Sequence, residues 1–293
     1  MPYLTLPRRR EFLATASAAG LLLSQGARSA AAQQGRARWA FFSDTHIAAD
    51  RANTYRGFKP YEQLAKVAPA VAASGVTGAI IDGDLARLTG EPGDYQNFLQ
   101  LLAPVAAKMP IAMALGNHDN RKNFQAAIGK HPGEVQAVRD RHVLAVPAGP
   151  VRLLVLDSLM MPDFTPGFLG KEQRTWLERY LGASDETPTL VFVHHTPGDN
   201  DGELLDAERL LRILKASRKV KALIYGHSHR YRFDVLDGLH CINLPAVGYN
   251  FNDAEPTGWT EVELSAEGAD FKLHAMGGNL QGDGKVTSIA WRG

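Results

Sequence analysis

From about residue 36 to the C-terminus, short apolar runs alternate with stretches whose apolar residues recur at helical spacing. The runs at 39–43, 78–82, 111–115, 152–156, 189–194 and 222–225 are the strand candidates. Helices are expected over 61–74, 95–108, 171–181 and 204–217. In the third of these, Trp176, Leu177, Tyr180 and Leu181 share one face; in the fourth, Leu204, Leu211 and Leu214 do. Both faces read as core. Pro69 and Pro104 fall inside their helices and predict kinks. After residue 230 the texture changes: 231–236, 240–244, 260–264 and 271–275 read as strands with no helix between them. Turns at Asp237-Gly238 and Glu267-Gly268 suit hairpins. The expectation is an α/β fold whose last strands build a second sheet, completing a sandwich with helices outside, in one domain over 33–293.

The first 32 residues stand apart. Arg8, Arg9 and Arg10 precede a short Ala/Ser/Gly-rich apolar stretch, too weak to span a bilayer stably, and Ser29-Ala30-Ala31-Ala32 offers a cleavage site near Ala32. Arg9-Arg10-Glu11-Phe12-Leu13 resembles the twin-arginine export motif, which implies a periplasmic or extracellular protein. Removing this leader takes away four Arg and one Glu, leaving 28 basic and 30 acidic side chains, a net charge near −2. Such a balance gives no electrostatic footprint for nucleic acid or anionic lipid. Cys241 is the only cysteine, so an intrachain disulfide is excluded; it falls in a strand pattern and reads as packing.

Five strand candidates end in chemistry-bearing residues. Asp44-Thr45-His46 follows the first and Gly83-Asp84 the second; Gly116-Asn117-His118-Asp119 follows the third. His194-His195 ends the fifth, and Gly226-His227-Ser228-His229 follows the sixth. Six of the ten histidines lie in these stretches, at the strand ends where α/β sheets assemble sites. Imidazole nitrogens and carboxylate oxygens suit divalent Zn, Mn, Fe or Co, and a carboxylate can bridge two ions. Glycines before Asp84, Asn117 and His227 suit tight turns that bring ligands inward. Counting from the strand favours His194 over His195 as the ligand; counting back from Pro197 favours His195. His194 is preferred. His131, His142, His240 and His274 lie outside these motifs and read as surface or core residues. Arg121 suits either a phosphate oxygen or a solvated helix start, while Asn120, Tyr249 and Asn250 read as loop residues before pocket residues.

The ordered set over residues 44 to 229 resembles the calcineurin-like metallophosphoesterase superfamily. The resemblance implies an αββα sandwich of two mixed sheets with two divalent transition-metal ions at one end. Asp44, His46 and His229 would hold the first ion and Asp84 would bridge. Asn117, His194 and His227 would complete the second. His118 would face the substrate without binding metal and protonate the leaving oxygen, while a metal-bound hydroxide attacks phosphorus in line. Arg87 stands three residues after Asp84, where purple acid phosphatases carry a metal-binding tyrosine, so a tyrosinate-coloured iron site is not expected. The segment Gly83–Thr89 also departs from the protein Ser/Thr phosphatase motif, and 64 residues after His229 are too few for a nucleotidase substrate domain. What remains resembles the compact branch of cyclic-nucleotide and glycerophosphodiester phosphodiesterases. The expected substrate is a small phosphodiester, seated by loops such as 49–60 and 250–258. The alternatives are a phosphomonoesterase, a pyrophosphate or phospholipid headgroup hydrolase, and a metal-dependent binding protein without catalysis.

Overall fold

A computed structural model describes residues 35–293, so the leader expected over residues 1–32 lies outside the described residues. The chain runs β1 (Arg36–Phe42), α1 (Pro60–Ala73), β2 (Gly78–Asp82), α2 (Pro92–Ala106), β3 (Ile111–Ala114), α3 (Arg121–Ala127) and β4 (Glu134–Val135). Next come β5 (Leu144–Ala148), β6 (Val151–Val155), α4 (Gly170–Ala183), β7 (Thr189–Phe192), α5 (Ala207–Ala216) and β8 (Val220–Tyr225). It ends β9 (Arg232–Leu236), β10 (Leu239–Asn243), β11 (Pro256–Ser265), β12 (Gly268–Gly278) and β13 (Val286–Ala290).

Two mixed sheets result, one ordered β13-β12-β11-β1-β2-β3 and the other β4-β5-β6-β7-β8-β10-β9. Strands β1, β2 and β3 are parallel, as are β6, β7, β8 and β10. Alternation along the strands builds three apolar layers. Phe41, Ile80, Ala112 and Val262 of the first sheet meet Leu153, Phe192, Ile224 and Ile242 of the second. Phe41 sets its ring edge-on to Phe192, with centroids 5.1 Å apart. On the outer face of the first sheet, Phe42 and Ile81 pack with Leu64, Val67 and Phe98 of α1 and α2. On the outer face of the second, Leu154, Val191 and Leu223 pack with Leu177, Leu181, Leu210 and Leu214 of α4 and α5. This is the αββα sandwich, and no helix among the described residues is long and apolar enough to cross a membrane.

The C-terminal strands depart from the expectation. They do not form a second sheet of their own: β9 and β10 extend the sheet containing β8, whereas β11 to β13 add to the edge at β1. Tight turns at Asp237-Gly238 and Ala266-Glu267 form both hairpins. In α5, Leu210 is buried and Leu211 only half-buried; Leu204 is buried outside the helix, where Gly167 pairs with it.

Candidate metal centre

The strand ends of both sheets meet at one edge. Backbone bonds tie the turns together: Asp44 N donates to Gly83 O at 3.1 Å, His46 N to Asp84 O at 2.9 Å, and Gly226 N to His194 O at 3.0 Å. Strain falls on the site residues themselves. Asp44, His46, Asp84, His227 and His229 all have φ between 47° and 67°, a left-handed backbone costing about 1–2 kcal/mol per non-glycine residue. Of the three glycines expected to relieve these turns, only Gly83 has positive φ. Gly116 and Gly226 are needed for space instead. A Cβ on Gly116 would overlap Asp84 Oδ1 and the Asp84 amide nitrogen, and one on Gly226 would overlap Ser43 Oγ and Asp44 Oδ2. Gly116→Ala is therefore expected to weaken metal binding about 10- to 100-fold with every ligand intact, as displaced ligand supports do. Calorimetric metal titration checks this.

Three overlapping groups of donors converge, Asp44–His46–His229, Asp84–His194–His227 and, across the two, His46–Asp84–His118. His229 Nε2 lies 3.1 Å from His46 Nε2 and 3.2 Å from Asp44 Oδ1. His194 Nε2 lies 3.4 Å from Asp84 Oδ2 and 3.8 Å from Asp44 Oδ1, and His46 Nε2 lies 3.7 Å from Asp84 Oδ2. Asp84 thus stands between the two groups. Carbonyl oxygens fix three tautomers, because they can only accept. His194 Nδ1 donates to Asp82 O at 2.7 Å, His229 Nδ1 to Tyr249 O at 2.6 Å, and His227 Nε2 to Gly202 O at 2.8 Å. In the neutral ring, the form that binds a metal, the opposite nitrogen of each carries the lone pair and faces the cluster.

The electrostatics are those of a donor set built for cations. Burial alone would raise Asp44 and Asp84, but the surrounding imidazoles, His229 for Asp44 and His194 for Asp84 foremost, hold both well below the usual carboxylate range. Burial pushes His46 well below its ordinary value and His227 down to about 4. Burial also opposes protonation of His194, yet Asp84 and Asp44 outweigh it and raise His194 to about 10. Asn117 Oδ1 and His194 Nε2 are buried without a hydrogen-bond partner among the described residues. A buried oxygen or nitrogen left unpaired costs about 1–3 kcal/mol, which a coordinated ion would recover. The residues present fit divalent metal ions.

His195 is not in the cluster: its Nδ1 lies 2.7 Å from Ser158 Oγ, and the ring packs against His227 with centroids 4.8 Å apart. His118 lies at the cluster's open side. Its amide donates to Asp84 Oδ1 at 2.9 Å, its Nδ1 donates to Leu88 O at 3.1 Å, and Asp163 Oδ1 is 3.4 Å from Nδ1. The ring comes close enough to His46 and Asp84 for the three to share one ion. Asp119 holds the scaffold, accepting from the Leu85, Ala86 and Gly116 amides at 3.2, 3.2 and 2.9 Å. It ties the two loops that carry Asp84 and Asn117.

The cluster opens into a cleft of about 440 Å³. A larger groove, about 590 Å³ between α4 and α5, contains none of these donors. The expected pocket loops 49–60 and 250–258 reach the cleft with Tyr55 and Phe251, while Arg87 was not expected there. Tyr249, expected in a loop role, stacks on His46 with centroids 4.6 Å apart, and Phe251 stacks on His229 at 4.3 Å. Tyr55 and Arg87 complete this wall. Asn250 keeps a loop role, donating to Glu255 O at 2.7 Å, and Asn120 caps α3 by accepting from Asn123 N. Arg121 takes neither expected role: it forks onto buried Asp157, with Nε to Oδ2 at 2.6 Å and Nη2 to Oδ1 at 2.9 Å. Asp82 was missed, being hidden as the last residue of an apolar strand. Burial raises its carboxyl to about 8, and neither oxygen has a hydrogen-bond partner among the described residues.

Comparison with known proteins agrees with this geometry. A 3',5'-cyclic adenosine monophosphate phosphodiesterase, CpdA of Haemophilus influenzae, is 25% identical over 243 residues, covering 78% of this chain and 85% of that protein. A probable cyclic nucleotide phosphodiesterase of Vesicomyosocius okutanii is 26% identical, covering 77% and 93%. The glycerophosphodiester phosphodiesterase GpdQ of Enterobacter lignolyticus is 26% identical, covering 60% and 66%. Among solved structures, a dimetal phosphatase from Danio rerio superposes with a TM-score of 0.66 at 16% identity, covering 87% of this chain and 99% of that one. That likeness speaks for the fold. The model of the calcineurin-like phosphoesterase family matches residues 37–231, so the chain belongs to that family and is a metal-dependent phosphoester hydrolase.

Proposed function

We propose that the mature chain is exported by the twin-arginine route and hydrolyses small phosphodiesters at a centre of two divalent ions. The observation that carries the diester reading is the aromatic wall. Tyr249 and Phe251 lie on the ligand imidazoles, and Tyr55 packs on Tyr249 with centroids 4.6 Å apart. Such a wall gives the second alcohol of a diester an apolar seat, which a monoester has no group to fill. The names of the relatives support the same reading.

Asp44, His46 and His229 would hold one ion, Asn117, His194 and His227 the other, with Asp84 between them. Divalent ions there would supply Lewis acidity, polarising phosphoryl oxygens and easing the deprotonation of water near neutral pH. The chain's own residues do the rest. Asp84 also fixes the His118 amide, so the loop carrying His118 is set relative to the ligands. Leu88 O holds the proton on His118 Nδ1 and Asp163 stands beside that nitrogen, so the ring is oriented through Nδ1 and a proton on Nε2 would be the one passed to the departing oxygen.

The test compares bis(p-nitrophenyl) phosphate with p-nitrophenyl phosphate after stripping the protein and refilling it with Mn²⁺, Zn²⁺ or Fe²⁺. Preference for the diester by about tenfold or more in kcat/KM is expected. Preference for the monoester would replace the diester reading with a phosphatase. No turnover with ions bound would point to a binding protein. In the same assay His118→Ala should keep its metal and lose about 10²–10⁴-fold in rate, most on esters with poor leaving groups. Equal slowing on all leaving groups would remove the proton-donor role.

A further inference from the structure

The cleft contains a cation that the ligand set does not use. Arg87 is the one Arg or Lys among the residues lining it. Its guanidinium has no hydrogen bond to, and no carboxylate within 4 Å from, any described residue, while other half-buried arginines such as Arg38, Arg121 and Arg174 each hold an acid. Arg87 Nε is buried with no partner. Guanidinium groups kept half-buried normally find carboxylate or carbonyl oxygens, because their fork of donors is costly to leave unpaired.

Its position is nevertheless fixed. The Arg87 guanidinium carbon lies 5.0 Å from the Tyr55 ring centroid and 6.0 Å from that of Tyr249. The Tyr249 ring in turn packs against His46 and His229, both at 4.6 Å between centroids. The positive charge therefore stands one aromatic ring from the ligand cluster, held against the rings of Tyr55 and Tyr249 in a residue that lines the cleft. Glu203 is the only acid lining the cleft besides Asp84, and it makes no ion pair with Arg87. A fixed, unpaired fork of donors beside a cation-binding cluster is an oxyanion grip.

We infer that Arg87 binds an ionised non-bridging oxygen of the substrate's phosphoryl group, and that Tyr55 and Tyr249 act as the platform that holds the guanidinium there. This rests on the phosphoester hydrolase assignment and is independent of the choice between diester and monoester. Arg87 then adds its strength in proportion to phosphoryl charge: it holds a dianionic phosphate more firmly than a monoanionic diester. Its loss shifts the enzyme towards diesters.

The experiment uses the metal-loaded parent, Arg87→Gln and Arg87→Lys, with inorganic phosphate as the probe. Phosphate affinity is read by calorimetry and by competitive inhibition, and metal content is measured alongside. Arg87→Gln is expected to keep its metal and bind phosphate about 10- to 100-fold more weakly, the scale of a charge-assisted fork. Arg87→Lys should recover part of that loss, having the charge without the fork. KM for p-nitrophenyl phosphate should rise more than KM for bis(p-nitrophenyl) phosphate. Phosphate affinity within about threefold of the parent in metal-replete Arg87→Gln would overturn the proposal. If Arg87→Gln does not fold, a Lys variant that binds phosphate as tightly as the parent while its diester-to-monoester ratio stays unchanged would also overturn it. A parent that prefers monoesters, yet loses phosphate affinity on Arg87→Gln, would sink the diester reading and leave this one standing.

Discussion

Asp84→Ala is expected to lower kcat/KM by more than about a thousandfold and to lose both metal ions together. The size follows from what ions contribute to phosphoryl transfer: charge at the phosphoryl oxygens and a nucleophile available near neutral pH, each worth several kcal/mol. The coupling follows from position. Asp84 Oδ2 lies 3.4 Å from His194 Nε2 in one donor group and 3.7 Å from His46 Nε2 in the other. Without it, Asp44 is the only carboxylate left among the proposed ligands, and one negative charge cannot balance two dications in a buried site. The variant also deprives the His118 amide of its acceptor, so a melting curve must show that the fold persists. Elemental analysis then counts ions per chain. Two ions at parental activity would refute the bridging role, while one ion retained with low activity would show that the two groups load independently.

The strands that deliver these ligands are readable because they are buried, short and uncharged between Gly-bounded turns. The run at 78–82 coincides with β2, and 111–115 overruns β3 by one residue. The α/β class followed from the alternation with helices, and the αββα sandwich from the family resemblance. Which sheet each C-terminal strand joins did not follow, because a period of two records which face is buried and not which neighbour is paired. Strand β13 was invisible for a related reason: at the sheet edge its residues are exposed or half-exposed, so it shows no apolar run. Helix α3, seven residues long with only Phe124 buried, is too short for a helical period to show. The candidate donors were legible as strand-end residues, and the expected pocket loops 49–60 and 250–258 do bring Tyr55 and Phe251 to the cleft, but the packing of four side chains into one wall was not legible. Tyr55, Arg87, Tyr249 and Phe251 come from three separate loops, and nothing local in those loops records that the folded chain brings them together. His194 and His195 differ by one position on a strand end, and alternation turns one towards Asp84 and the other towards Ser158. Arg121 shows the same limit: its partner Asp157 is 36 residues away, and no local pattern joins them.

That pair carries the largest expected effect on stability. Asp157→Ala should cost about 3–5 kcal/mol, the range for breaking a buried ion pair from one side. Asp157 is fully buried and its carboxylate is saturated. It accepts two bonds from Arg121, one from the His142 amide at 2.8 Å and one from the Leu159 amide at 3.0 Å. Arg141 Nη1 stands 3.9 Å away and donates to Leu159 O at 2.7 Å. Alanine would leave the Arg121 guanidinium without a counter-charge and two buried amides without acceptors. For a chain of this size the loss corresponds to a fall in Tm of roughly 6–20 °C. None of the metal ligands is altered, so ions per folded chain should match the parent well below the new Tm. The paired variant Asp157→Leu/Arg121→Met should recover part of the loss, since removing both charges leaves no unpaired ion to bury. If Asp157→Ala costs less than about 1 kcal/mol, Arg121 must find water or another acceptor on losing Asp157. If the paired variant is worse than the single one, the fork is worth more than the desolvation it requires.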